Sequence, residues 1–164
     1  MTFMYRVAAL SMLSTLCLLA GCGSLSPFST LTKLDLTLIA GDEVNPDLHG
    51  RPSPVVVHLL ELRHPVAFEN ADFFSLYDRA EQTLSRDWVR SEELELRPGE
   101  QLALKLSVEP HSRYVGVLAA YRDLPHVQWR LVLPVAPGQL TRAGVVLDQT
   151  GLRMATPQID RTED

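Results

Sequence analysis

The chain has 164 residues, with 15 basic and 20 acidic side chains and a formal net charge of −5. The two signs are interspersed, with no run of five like charges. Such a surface argues against nucleic acid, whose recognition needs a basic face, and equally against electrostatic docking to anionic lipid.

Arg6 is the only charged side chain ahead of an apolar run from Val7 to Leu18, which closes on Leu19-Ala20-Gly21-Cys22. A charged start, an apolar stretch and small residues before a cut site predict a secretory signal peptide over residues 1–21. A transmembrane anchor is the weaker reading, because the run is shorter than the ~20 residues a spanning helix needs. A cysteine directly after the small residues resembles the lipobox of bacterial lipoproteins. Ala20 and Gly21 are small enough for the backbone to enter a protease site, and Cys22 supplies the nucleophile that takes the lipid. The resemblance implies a covalent N-acyl and S-diacylglycerol lipid on Cys22, with no other cofactor. Gly23, where an aspartate would favour retention in the inner membrane, implies release to the outer membrane, on its periplasmic face. Removing residues 1–21 leaves about 140 residues, enough for one domain, and one positive charge fewer. Cys17 leaves with the signal and Cys22 carries lipid, so disulfide, zinc-finger and redox-dithiol readings fall away.

After Cys22 no apolar run is long enough to span a membrane. Residues 22–30 are mostly small and polar and read as a tether. The folded domain then runs from 31 to 155. Residues 31–40 alternate, with Leu34, Leu36 and Leu38 on one face and Lys33, Asp35 and Thr37 on the other, which predicts a half-buried strand. Gly41 to Pro54 holds three prolines and no apolar periodicity, and reads as a long loop. Val55 to Leu62 is a second strand, apolar enough to be central and ended by Pro65. Residues 66–86 shift to spacings near three and four. They predict a helical insert of one or two short helices from about Ala71 to Leu84, with Phe73, Phe74 and Tyr77 on the side packed over a sheet.

Six further strands follow. Trp88 to Leu96 ends at Arg97-Pro98-Gly99-Glu100, where Pro followed by Gly is the type II turn pattern. Gln101 to Glu109 places Leu102, Leu104, Leu106 and Val108 on one face. Tyr114 to Tyr121, Gln128 to Leu133, Gln139 to Leu147 and a short strand near Leu152 to Ala155 complete the set. Pro134 suggests an edge position, Trp88 and Trp129 are expected in the core, and residues 156–164 read as a flexible tail. About eight short strands separated by turn signals predict an all-β, two-sheet sandwich with one helical excursion.

Chemistry is hard to find. None of His49, His58, His64, His111 and His126 forms a pair at ligand spacing, and His58 stands on a strand with no close partner, so no metal site is expected. Ser53 lies between prolines, and Ser75 and Ser85 lie in or beside the insert, without an evident base or oxyanion hole. Glu92 and Glu93 point to opposite faces of a strand. No phosphate loop is present. These features predict neither an enzyme nor a small-molecule binder. The loop stands out. Fourteen residues between two strands is long, where a hairpin takes two to five, and its prolines stiffen it and reduce the entropy lost on binding. It is either a plain surface loop or a preformed recognition arm.

The order of these pieces is similar to the TssJ lipoproteins of type VI secretion systems. The likeness rests on the lipobox, Asn45-Pro46-Asp47, Gly50-Arg51-Pro52-Ser53-Pro54 leading into Val55-Val56-Val57, and the segment Phe68 to Tyr77. It continues through Glu95 to Glu100, Tyr114-Val115-Gly116-Val117 and Ala120-Tyr121-Arg122-Asp123. The resemblance implies a transthyretin-like sandwich with a helical insert. It also implies a lipoprotein at the inner leaflet of the outer membrane that binds the periplasmic C-terminal region of TssM and, with TssL, links the two membranes. The loop between the first two strands contacts TssM in that family, here Gly41 to Pro54. Within it Asn45, Asp47, His49 and Arg51 are expected as polar contacts and Leu48 as an apolar anchor, with Pro46 and Gly50 shaping the arm. Deleting 44–51 is expected to remove binding while leaving the fold intact. The alternative is a lipoprotein sandwich that recognises a glycan or a different envelope protein.

Overall fold

The computed structural model describes residues 31–155. The signal segment, Cys22 with its tether, and the tail from 156 lie outside the described residues. Two short helices and eight strands follow in the order β1 (Thr32–Ala40), β2 (Val55–Leu62), α1 (Val66–Asn70), α2 (Phe73–Leu84), β3 (Trp88–Leu96), β4 (Gln101–Val108), β5 (Tyr114–Ala119), β6 (Arg130–Pro134), β7 (Leu140–Asp148) and β8 (Gly151–Met154). They form two four-stranded sheets, ordered β4-β1-β7-β8 and β3-β2-β5-β6. The β1–β7 pair is parallel and every other pair of named strands is antiparallel. This is the all-β sandwich with a small helical insert that the strand pattern predicts.

Two apolar layers hold it. Leu34, Leu36 and Leu38 of β1 meet Val55, Val57 and Leu59 of β2 between the sheets. On the other face of β2, Leu60 and Leu62 lie under the insert with Phe68, Leu76 and Leu84. With both faces largely covered, β2 is mostly apolar, and only Val56, His58 and Glu61 are partly exposed. Trp88 and Trp129, expected inside the core, are half-buried at its margin. Trp88 packs under the insert, and Trp129 touches both layers.

The insert begins earlier than its periodicity predicts. Pro65 ends β2 and also stands at the N-cap of α1, a place where a missing N–H costs nothing. Asp72 caps α2 by accepting from the Ser75 amide at 3.0 Å. His58, expected to lack a close partner, has two. Its ring stacks on Tyr77 at 4.7 Å, and its Nε2 lies 3.1 Å from Glu93 of the neighbouring strand. Tyr77 stacks in turn on Phe73, which meets Trp129 edge-on.

The Arg97–Glu100 turn has the type II signature, with Gly99 at φ 76° and the Glu100 amide donating to the Arg97 carbonyl at 3.0 Å. It does not make a hairpin: β3 and β4 are edge strands of different sheets. β6 starts at Arg130, later than predicted. The Gln128 backbone is taken up by the other sheet, donating to Thr150 and accepting from the Leu152 amide.

Every connection lies at one of two ends. The start of β1, the β2–α1 link, the β4–β5 turn and the β6–β7 turn share one end. There Arg113 donates from its amide to Leu62 and accepts from the Val135 amide, and Gly138 donates to the Thr32 hydroxyl. The loop 41–54, the Arg97–Glu100 turn and the β5–β6 connection share the other. With β1 nine residues long, the ends are roughly 25–30 Å apart.

Candidate functional site

The loop between β1 and β2 is stiff because its own polar groups close it. Val44 is fully buried in the core, and its carbonyl accepts from the Ser53 amide at 3.1 Å. Asn45 follows at φ 49°, a left-handed conformation that asparagine tolerates better than most residues. Its side chain is buried and bonded through both its amide nitrogen and its amide oxygen. Nδ2 donates to the Pro54 carbonyl at 2.7 Å, and Oδ1 accepts from the Arg122 amide at 2.9 Å. Asn45 therefore locks both strands of the loop base to each other and to the β5–β6 connection. Its side chain does not face outward.

The tip, residues 47–51, is organised by one carboxylate. Asp47 Oδ1 accepts from the amides of His49 and Arg51 at 2.8 and 3.0 Å, and Oδ2 accepts from Arg51 Nε at 2.8 Å. Backbone bonds from Asp47 to Arg51 and from Gly50 to Asp47 close the same turn. The Arg51 amide first, and its side chain next, hold the Asp47 carboxyl below its ordinary value of 3.8. Gly50 takes φ 76°, which only glycine adopts without strain. The result is an exposed tip on which Leu48 stands fully in solvent beside an exposed His49.

The loop does not stand alone. Pro46, Asp47 and Leu48 face Arg122, Asp123 and His126 across an open hollow of about 390 Å³. Asp123 and His126 form a pair at 2.7 Å. Tyr121, next in the chain to Arg122, is buried, its hydroxyl without a hydrogen-bond partner among the described residues. Burial first, and the negative field of Asp148 next, push its pKa up. Sequence reasoning selects the first loop and misses this second wall, because β5–β6 lies some seventy residues downstream and no spacing rule links the two. An apolar tip, a polar rim and a shallow hollow suit contact with another macromolecule. Among the described residues no three His, Cys, Asp or Glu side chains converge.

Residues 44–51 are not all expendable. Val44 belongs to the core and Asn45 to the loop's base, so a deletion that spares the fold must begin at Pro46.

The class of protein is set by the fold: a two-sheet β-sandwich with a long first loop and a helical insert over one sheet. The type VI secretion lipoprotein family (VasD, EvfM, TssJ) matches residues 32–150, and the chain belongs to that family. The crystal structure of the type VI secretion lipoprotein TssJ1 from Pseudomonas aeruginosa is similar at 34% identity and TM-score 0.74, covering 76% of this chain and 95% of that one. Serratia marcescens Lip, described as a membrane-bound component of the type VI secretion system, is similar at 28% identity and TM-score 0.71, covering 76% and 98%. A structure described as the TssM C-terminal domain from EAEC shares the fold at 23% identity and TM-score 0.64, covering 76% and 98%. No curated protein matches the chain.

Proposed function

We propose that this lipoprotein is anchored in the outer membrane by acyl chains on Cys22 and binds the periplasmic C-terminal region of TssM through its β1–β2 loop, linking outer and inner membranes. The observation that carries the reading is the preformed tip: Leu48 is held fully exposed by a turn whose internal polar groups are already satisfied. An apolar side chain kept in water on a rigid support loses little entropy on docking. The sequence supports the anchor through the lipobox, and family membership supports the secretion-system setting. Family membership, with the role that the resemblance to TssJ lipoproteins implies, supports the choice of partner. Under this reading Pro46, Leu48, His49 and the outer edge of Arg51 touch the partner. Asn45, Asp47 and Gly50 shape the surface that does.

Calorimetric titration of the mature protein with the cognate TssM C-terminal domain tests the partner. Saturable 1:1 binding that disappears when 46–51 is replaced by a short glycine-serine link supports the reading. Unchanged affinity in a folded replacement rejects the loop as the site. Mass spectrometry of the mature N-terminus tests the anchor, and an unmodified Cys22 rejects it.

A further inference from the structure

The fold sorts charges that the sequence intersperses. At the end where the chain enters β1, four basic side chains are exposed: Lys33, Arg63, Arg86 and Arg113. None takes part in an ion pair among the described residues. Arg113 donates to the carbonyls of Pro110 and Ser112, and Arg63 to those of Arg86 and Trp88, so both positive charges stay uncompensated. Three acids share this end. Glu61 is turned inward, accepting from the Glu109 amide and the Ser112 hydroxyl. Asp87 is half-buried, which leaves Glu109 as the exposed carboxylate there. At the opposite end the balance reverses, with Asp42, Glu43, Asp47, Glu100, Asp123 and Asp148 set against Arg51, Arg97, Arg122 and Arg153, the last paired with Asp148 at 3.0 Å.

Apolar side chains reinforce the pattern. Val66 is 63% exposed and Leu140 41% exposed, and both sit at the basic end. Val66 and Ala67 form one wall of an open hollow of about 680 Å³ whose other walls are Arg63, His64, Arg86 and Asp87. Two guanidinium groups and an imidazole, set against one half-buried carboxylate beside an apolar wall, match the chemistry of a phospholipid headgroup with the start of its acyl chain. Arginine is suited to phosphate by its fixed fork of donors.

The position of the anchor says what covers this face. Leu31 opens the described chain nine residues after Cys22. Nine residues span at most about 30 Å when extended, so a lipidated Cys22 holds this end, rather than the loop end, nearest the bilayer. We infer that the basic end of the sandwich, built from Lys33, Arg63, Arg86, Arg113, Val66 and Leu140, rests directly on the anionic phospholipid surface of the membrane. This contact orients the domain so that the β1–β2 loop points away. The inference rests on the proposed lipid anchor. It refines the expectation from composition: net charge is acidic, but a surface responds to local charge, and each basic residue near an anionic bilayer adds attraction that falls off within a Debye length.

The test uses the mature acylated protein in liposomes of phosphatidylcholine alone or of phosphatidylcholine with phosphatidylglycerol, read by flotation and hydrogen–deuterium exchange. The expected result is flotation with both compositions. Amides of 63–67, 86–90 and 109–113 should then exchange about tenfold more slowly on the anionic vesicles, as a surface contact closes local openings. The double variant Lys33→Glu and Arg86→Glu, at exposed positions whose side chains make no hydrogen bond among the described residues, should float equally and lose that protection. Val66→Ser should lose part of it. Protein that floats with the same exchange pattern on both compositions overturns the inference and leaves the anchor standing. So does a charge-reversed variant that keeps full protection. Protein that fails to float overturns the anchor and the inference together.

Discussion

The Asn45 side chain accepts from the Arg122 amide at 2.9 Å across a sequence separation of 77 residues. With its second bond to Pro54, this one amide group joins the loop's two strands to the neighbouring connection. The tip can therefore be exposed without being loose. Most of the surrounding loop makes its bonds within itself.

Asn45→Ala should lower stability by about 2–3 kcal/mol. Two buried hydrogen bonds are lost at about 1 kcal/mol each, and alanine is less at ease than asparagine at φ 49°. Asn45→Gly relieves the backbone but restores neither bond, so it should fall between the wild type and the alanine variant. Denaturant unfolding of the three proteins checks the order. A stability unchanged within 0.5 kcal/mol, roughly the scatter of neutral surface changes, would contradict the bridging role.

Leu48→Asp separates docking from folding. The side chain is fully exposed, so unfolding should stay within about 0.5 kcal/mol of wild type. If Leu48 is a central anchor, TssM affinity should fall at least roughly thirtyfold, the scale of a 2 kcal/mol hot spot. Titration calorimetry on the variant reads both the affinity and the stoichiometry. A large loss of stability with normal affinity would place Leu48 in a structural role instead.

The turn at the tip should depend on pH in one direction. Asp47 has a folded pKa below its ordinary 3.8, chiefly through the Arg51 amide. A depressed carboxylate contributes order that is complete above the unfolded value and is lost as pH falls through the folded one. The turn should thus persist at neutral and mildly acidic pH and loosen only as pH falls below the ordinary carboxylate value of 3.8. Amide exchange of His49 and Arg51, the two donors to Asp47, is the readout. Asp47→Asn should show the loosened pattern at neutral pH, because the neutral amide accepts these bonds more weakly and cannot pair with the guanidinium.

Strand positions were legible where turn chemistry bounded them. Val55–Leu62 lies between Pro54 and Pro65, and Trp88–Leu96 ends on Pro98-Gly99, so local signals mark their limits. Partnership was not legible. Nothing near Arg97–Glu100 distinguishes a hairpin from a crossing between sheets, because the turn's dihedrals are the same in both. The start of α1 was hidden because a proline reads equally well as the end of a strand and the start of a helix. In the loop, sequence placed Asn45 among exposed contacts, since a polar residue in a proline-rich loop is usually outside. What buries it is the Arg122 amide, which no local pattern places there. The preference of asparagine for left-handed backbone was the available hint. The basic end of the sandwich escaped notice for a related reason: its members are scattered from Lys33 to Arg113 and meet only after folding.

Gly116 offers the sharpest test of how the insert is seated. It lies on β5 opposite Leu60 and Val132, on the face that carries the insert. A Cβ built there would come 2.9 Å from Cζ of Phe68, a ring with no exposure to solvent. Phe68 thus rests its edge on bare backbone, and the ring has no open space to move into, because Leu60, Leu76 and Leu118 pack in the same cluster. Gly116→Ala should push the ring off the sheet and lower stability by about 1–3 kcal/mol, the usual cost of overpacking a closed core. The strain should spread along α1, whose last carbonyls are tied to the sheet by Arg130 through Phe68 and Ala71. Exchange should therefore rise across 66–77 while the amides of 44–51, at the far end of the sandwich, stay protected and TssM binding stays normal. If the variant instead lost partner binding at unchanged stability, the insert would belong to the docking surface and the loop would share that role.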